Sequence, residues 1–402
     1  MKSNFGHLTY CTNIHSGENW EEHFIELKKN FPTLKKNVSP DDLLGIGLRL
    51  SNQASIALTD PEELTKFTTW LNQEGAYVFT MNGFPYGDFH STVVKESVHA
   101  PDWTSNDRVS YTIRLFDILE KLLPSDMEGG ISTSPLGYRH HFNASEKIKA
   151  LQIGTENIIK VLEHLMVIKE KTTKSLHLDI EPEPDGLLET GDEFIDWYEN
   201  LLLPLAIEHF SKKFELSELE TEALVKEHIQ LCYDVCHFAL GYENHEDELN
   251  ALEEKGIRIG KIQISAALKT GLPEDEIKRN EIARLFKPFD EDIYLHQVIA
   301  LQDNNSVIRY KDLPEALKDI QNKEVKEWRA HFHVPIFLER YGDLESTQNE
   351  IIEVLKRHKS KSITQHLEVE TYTWGVLPSE FQIPITESIE RELLWVNSVL
   401  SN

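Results

Sequence analysis

Cysteine is scarce: the three thiols in 402 residues, Cys11, Cys232 and Cys236, are too few and odd in number for a disulfide framework. Long apolar runs are missing too, since the stretch Leu201-Leu202-Leu203 stops at Pro204, far short of a membrane span. Residues 1–7 lack the apolar core of a secretory signal, which makes the cytoplasm the expected compartment. Basic residues are in deficit, 41 against 68 acidic ones, and the net charge of -27 repels phosphate backbones. Nucleic acid is therefore not an expected partner. No glycine-rich phosphate loop follows an early strand, which argues against a dinucleotide-binding sheet. Internal repeats and low-complexity segments are also lacking.

What remains is an ordinary globular composition, 40% hydrophobic and 27% charged, sufficient for a sizeable core. Short β-like runs alternate with amphipathic stretches. Strands are predicted over 8–14, 47–50, 77–81, 131–134, 176–180, 230–235, 261–265 and 367–372. Helices are predicted over 20–30, from the cap Asp60-Pro61 to Gly75, and over 386–400. Eight such units predict an α/β (β/α)8 TIM barrel forming a single domain over 1–402, with a doubly wound open sheet as the alternative. Two connections are long. Residues 82–102, rich in Gly, Pro and aromatics, are expected as a loop over the barrel mouth after strand 3. Residues 271–326 read as a charged, partly helical insertion after strand 7, either a lid or a partner surface.

Side-chain parity locates the chemistry. Alternate strand residues face opposite sides, so the aliphatic residues of Leu176-His177-Leu178-Asp179-Ile180-Glu181 pack outward and Glu181 ends an inward row. The same rule turns Asp234 inward from Leu231-Cys232-Tyr233-Asp234, Gln263 from Ile262-Gln263-Ile264, and His366, Glu368 and Glu370 from the last strand. His331 and His333 share one face. Several carboxylates buried together call for a compensating cation, and oxygen and nitrogen donors with few thiolates suit Zn(II) or Mn(II), with Mg(II) also compatible. Glu181, Asp234, Gln263 and Glu370 are the candidate ligands, with Glu368 as the alternative to Glu370. His237, His331 and His333 are expected to support that ion or to hold another. The plainer readings are helix caps, salt-bridged carboxylates and satisfied interior histidines. His15, Asn82, His90 and Trp374 are candidates for substrate contact, with packing or surface roles as the alternative. Cys232 and Cys236 read as core thiols.

Asp234-Val235-Cys236-His237 after a strand resembles the D-x-x-H motif of xylose-isomerase-like barrels, a group of sugar isomerases, epimerases and endonuclease-IV-type enzymes. Glu181 before Pro182 resembles that group's first metal glutamate and Glu370 its last. His331-Phe332-His333 resembles its D-x-H pair with histidine in place of aspartate, and Gln263 stands where a histidine ligand is common. Longer phrases are similar to the metabolite traffic protein EboE family: residues 8–15, the loop Asn82-Gly83-Phe84-Pro85-Tyr86-Gly87, Phe332-His333-Val334-Pro335-Ile336-Phe337 and Glu368-Val369-Glu370-Thr371-Tyr372-Thr373-Trp374. That resemblance implies an association with export of a prenylated or polyketide-like precursor.

The leading functional expectation is a metal-dependent isomerase or epimerase acting on a small polyol or hydroxy-carbonyl metabolite, with Glu181 and Glu370 as the acid/base pair. The alternative is a non-catalytic carrier that delivers a ligand to a membrane-bound export partner. A repair endonuclease is the remote alternative.

Overall fold

A computed structural model describes residues 1–87, 94–375, 377 and 382–401. Eight parallel strands build the main sheet: β1 (Gly6–Tyr10), β2 (Leu44–Arg49), β3 (Ala76–Asn82), β4 (Gly129–Thr133), β5 (Leu176–Ile180), β6 (Ile229–Asp234), β7 (Ile259–Ile264) and β8 (His366–Val369). Their order is β1-β8-β7-β6-β5-β4-β3-β2. A single parallel bridge between Cys11 and Gly47 joins the two ends and closes the barrel. The predicted eight-stranded barrel is thus the observed one.

Local chemistry explains the helix boundaries. The Asp60 side chain accepts from the Glu62 amide, Pro61 occupies the first turn of Pro61–Glu74, and Gly75 ends that helix at φ 65. Strand ends are less legible. The run 8–14 reads as one strand, yet the ladder stops at Tyr10 and Thr12–Ile14 coils into a 3-10 turn. There the chain leaves its neighbours at the rim, and extended backbone has no ladder to satisfy it.

The insertion needs a larger correction. It does contain the helices Glu276–Phe286 and Leu313–Lys318, but its main element is a six-stranded antiparallel sheet running from Leu268–Gly271 to Leu344–Ser346. The limits 271–326 are therefore too narrow. Its strand Val298–Gln302 buries Val298, Ile299 and Ala300 in succession, so the alternation that marks a half-buried strand is missing.

The barrel interior is polar and full. Glycines make the room: a Cβ on Gly47 would stand 1.8 Å from Glu368 Oε2, and one on Gly260 would stand 1.9 Å from Asp179 Oδ1. Fully buried Lys261 and Glu368 pair there at 2.7 Å. Gly47→Ala is expected to destabilise the protein by about 1–3 kcal/mol, because the added methyl also meets the Tyr10 carbonyl at 2.7 Å. Denaturant midpoints of the two proteins check this, and an unchanged midpoint would contradict the packing described.

Candidate metal centre

Three carboxylates meet at the C-terminal rim. Glu181 and Glu370 each lie just past a strand, where their amides still bond neighbouring strands: Glu181 N donates to Thr133 O at 3.0 Å and Glu370 N to Ile264 O at 3.1 Å. Their side chains are thereby fixed by the sheet. Asp234 ends β6 and caps the short helix Val235–Leu240, its Oδ1 accepting from the His237 amide at 3.2 Å and from Ser265 Oγ at 2.6 Å. Capping leaves Oδ2 for the interior, and the three-residue spacing returns His237 to the same side after one turn. One oxygen each from Glu181, Asp234 and Glu370 lies within 4.8 Å of the others.

Gln263 sits among them. Its amide nitrogen donates to Glu181 Oε1 at 2.9 Å, to Asp234 Oδ2 at 3.2 Å and to Glu370 Oε2. It is therefore the nitrogen, rather than the expected oxygen, that faces the carboxylates. A half-turn of the amide exchanges the two. Asn13 and Asn82 both donate to Glu370 Oε1, at 2.7 and 2.9 Å, and so hold that carboxylate from the other side.

Charge is poorly balanced. Burial, reinforced by Glu370 and Asp234, raises the Glu181 carboxyl well above its ordinary value. Burial, then Asp234 and Glu368, pushes Glu370 up to about 8. Glu181 Oε2 is buried without a hydrogen-bond partner. These residues fit a divalent cation: three carboxylates and an invertible amide supply an oxygen donor set, and a cation would offset repulsion that amide donors only partly relieve.

Beside the carboxylates stand three histidines. His237 Nε2 and His331 Nε2 are 3.2 Å apart, as are His331 Nε2 and His333 Nε2. Burial lowers His331 well below its ordinary value and brings His333 to about 4, so both stay uncharged at neutral pH.

A cavity opens over this floor, reaching Glu181, Glu370, His237, His331 and His333. Its wall is largely apolar. Phe84, Val94 and Val98 come from the connection after β3, Tyr294 and Leu295 from the insertion, and Tyr372 from the segment after β8. Both long connections therefore reach the mouth. His99 and Glu183, paired at 2.9 Å, also line it.

The expected substrate residues divide. Asn82 lines the cavity and also orients Glu370. His15 is buried with its Nε2 3.1 Å from the Tyr10 hydroxyl, and Trp374 packs against Phe337; neither is among the cavity-lining residues. His90 lies outside the described residues. Glu368, the alternative to Glu370, is instead taken up by Lys261 below the carboxylate cluster. Sequence reasoning missed Asn13, Gln297, His99 and Glu183. Asn13 alone had a signal, its place just beyond the first predicted strand.

No family model matches this chain, and no curated protein matches it either. Membership of the EboE family is accordingly not shown. Solved structures do match. A xylose isomerase-like TIM barrel protein from Mycobacterium smegmatis, in complex with magnesium, is 9% identical with a TM-score of 0.50, covering 98% of this chain and 97% of that one. An L-ribulose 3-epimerase is 10% identical with a TM-score of 0.48, covering 98% and 95%. The IOLI protein with a binding zinc atom is 12% identical with a TM-score of 0.43, covering 98% of both. Among the described residues, no helix is long and apolar enough to cross a membrane. Identities this low speak for architecture alone, and the closed parallel sheet agrees with the magnesium-bound barrel: the chain folds as a xylose-isomerase-like TIM barrel.

Proposed function

We propose that the protein is a metal-dependent isomerase or epimerase of a small polyol or hydroxy-carbonyl metabolite. The observation that carries this reading is the meeting of Glu181, Asp234 and Glu370 within 4.8 Å, with Glu181 and Glu370 lining the cavity. Glu181, Asp234 and Glu370 would hold the cation, with Gln263 turning its amide to contribute oxygen. The magnesium of the similar barrel favours a divalent ion, with zinc and manganese equally suited to these donors. Such an ion polarises adjacent substrate oxygens.

The chain's own residues do the rest. Glu181 and Glu370 approach the cavity from different strands, so one carboxyl can remove a proton from carbon while the other returns it to the neighbouring position or the opposite face. Asn13 and Asn82 keep Glu370 aimed inward. The apolar wall limits water around the reacting carbon.

Solvent deuterium incorporation, followed by NMR over a panel of ketoses, aldoses and hydroxy-ketones, tests the reading. Exchange at the carbon beside the carbonyl is expected with the metal-loaded protein, lowered about 10²–10⁴-fold by Glu181→Gln. Stoichiometric metal without exchange on any panel member would overturn it. That outcome would favour a second reading, a ligand carrier serving export, which the apolar wall of Phe84, Val94, Val98, Tyr294 and Leu295 independently supports.

A further inference from the structure

The segment after β5 reads Glu181-Pro182-Glu183-Pro184-Asp185, and its second glutamate takes no part in the carboxylate cluster. Prolines on both sides stiffen the backbone around Glu183. Three hydrogen bonds tie it down further. His237 Nδ1 donates to the Pro182 carbonyl at 2.9 Å, Gln297 Nε2 to the Pro184 carbonyl at 3.2 Å, and the Gly186 amide to the Glu183 carbonyl at 3.0 Å. The Glu183 side chain lines the cavity and is only 8% exposed. Its Oε1 is buried without a hydrogen bond, although His99 Nε2 stands 2.9 Å away. The ring N–H is therefore out of line with that oxygen. Phe84 and Tyr138 pack against the imidazole, their centroids 5.5 and 5.2 Å from its own, and hold it there. An unmet acceptor on a rigid, buried segment is costly, and an occupant of the cavity that donates to it removes the cost.

The charge of that occupant follows from the rest of the wall. Among the described lining residues Lys95 is the one lysine or arginine, and its ammonium is drawn to Asp312 Oδ2 at 2.7 Å. Glu181 and Glu370 line the same cavity as Glu183. The rings of Phe84, Tyr294 and Tyr372 complete a lining that suits a cation and gives an anion no counter-charge.

We propose that Glu183 determines specificity in this cavity by selecting a substrate that carries a protonated amine, an amino sugar or amino polyol, over its hydroxyl and phosphate counterparts. The ammonium donates to Glu183 Oε1 and supplies the missing hydrogen bond. Glu183 follows Glu181 by two residues, at most about 7 Å along the backbone, so one small molecule reaches both carboxylates. The polyol scaffold rests on the isomerase reading, whereas the preference for an amine rests on the wall alone.

Calorimetric titration of the full-length protein in excess magnesium chloride with D-fructose, 6-amino-6-deoxy-D-fructose and D-fructose 6-phosphate tests the proposal without requiring turnover. The three probes differ in one substituent. The amine is expected to bind more tightly than fructose by about tenfold or more, and the phosphate ester more weakly than fructose. The isosteric Glu183→Gln should bring the amine down to the level of fructose. A phosphate ester that binds as tightly as the amine, an amine preference that survives Glu183→Gln, or an amine that does not bind would each overturn the proposal. Solvent deuterium exchange on the same samples separates the two readings. An amine preference without exchange counts against the isomerase alone, and exchange without an amine preference counts against the role of Glu183 alone.

Discussion

Glu181→Gln and Glu370→Gln will each remove metal from the three-carboxylate site while leaving the metal-free protein more stable than wild type at pH 8. The two effects share one cause. The carboxylates lie within 4.8 Å of each other and are buried, and the amide of Gln263 and the hydroxyl of Ser265 donate to them. In the folded chain Glu370 titrates at about 8, against 4.5 for the free group. A raised carboxyl means that the folded state keeps a proton the unfolded state has released. Stability is then complete below about pH 4.5 and declines as pH climbs to about 8, by about 1.4 kcal/mol per pH unit for one fully shifted group. Glu181 is raised in the same direction. Glutamine carries no such penalty, and Gln263 can turn its amide to meet it. Glu243 and Glu392 are also raised to about 8 by burial, but they act equally in wild type and variant and cancel in the comparison. Thermal unfolding in chelator between pH 5 and pH 8 should show the wild type falling behind Glu370→Gln. Added magnesium or manganese should reverse the order, by about 2.7 kcal/mol at a hundred times the dissociation constant. Metal content of each purified protein completes the measurement. Parallel pH profiles in chelator would refute the account.

Lys261→Met is expected to cost about 3–5 kcal/mol, the largest stability loss among substitutions outside the metal site. Lys261 Nζ donates to Glu368 Oε1 at 2.7 Å and to Ser132 Oγ at 2.9 Å, and neither charged side chain has exposed surface. The Lys261 ammonium stays charged because Glu368 outweighs much of the burial cost. Removing it strands the Glu368 carboxylate, whose Oε2 already lacks a hydrogen-bond partner. The double variant Lys261→Met with Glu368→Leu should recover most of that loss, since two apolar groups of similar volume need no desolvated charge. Denaturant midpoints of the four proteins form the double-mutant cycle. If the double variant is as unstable as Lys261→Met, packing rather than charge holds this part of the barrel. The ion pair lies below the carboxylate cluster, one residue pair deeper on β7 and β8, so metal content should survive in the double variant.

Glu368 also shows how far sequence reasoning reaches. Parity turned Glu368 and Glu370 inward alike, and both are inward. Only the register of β8 against β7, with Glu368 opposite Gln263, decides that Lys261 claims the first and the rim receives the second. Gln263 illustrates the same boundary. Its inward direction follows from a period of two, whereas the presentation of its nitrogen depends on three carboxylates arriving from other strands.

By itself the sequence determined the barrel strands, the helix caps such as Asp60 and Gly75, and the inward parity of Glu181, Asp234 and Glu370. These are local properties, set by neighbours within a few residues along the chain. Tertiary structure alone decided that a sheet builds most of the insertion and that Asn13 and Gln297 fix Glu370 and His331. Barrel closure brings such groups together from positions as far apart as Asn13 and Glu370, and no periodicity along the chain encodes a distance across the mouth.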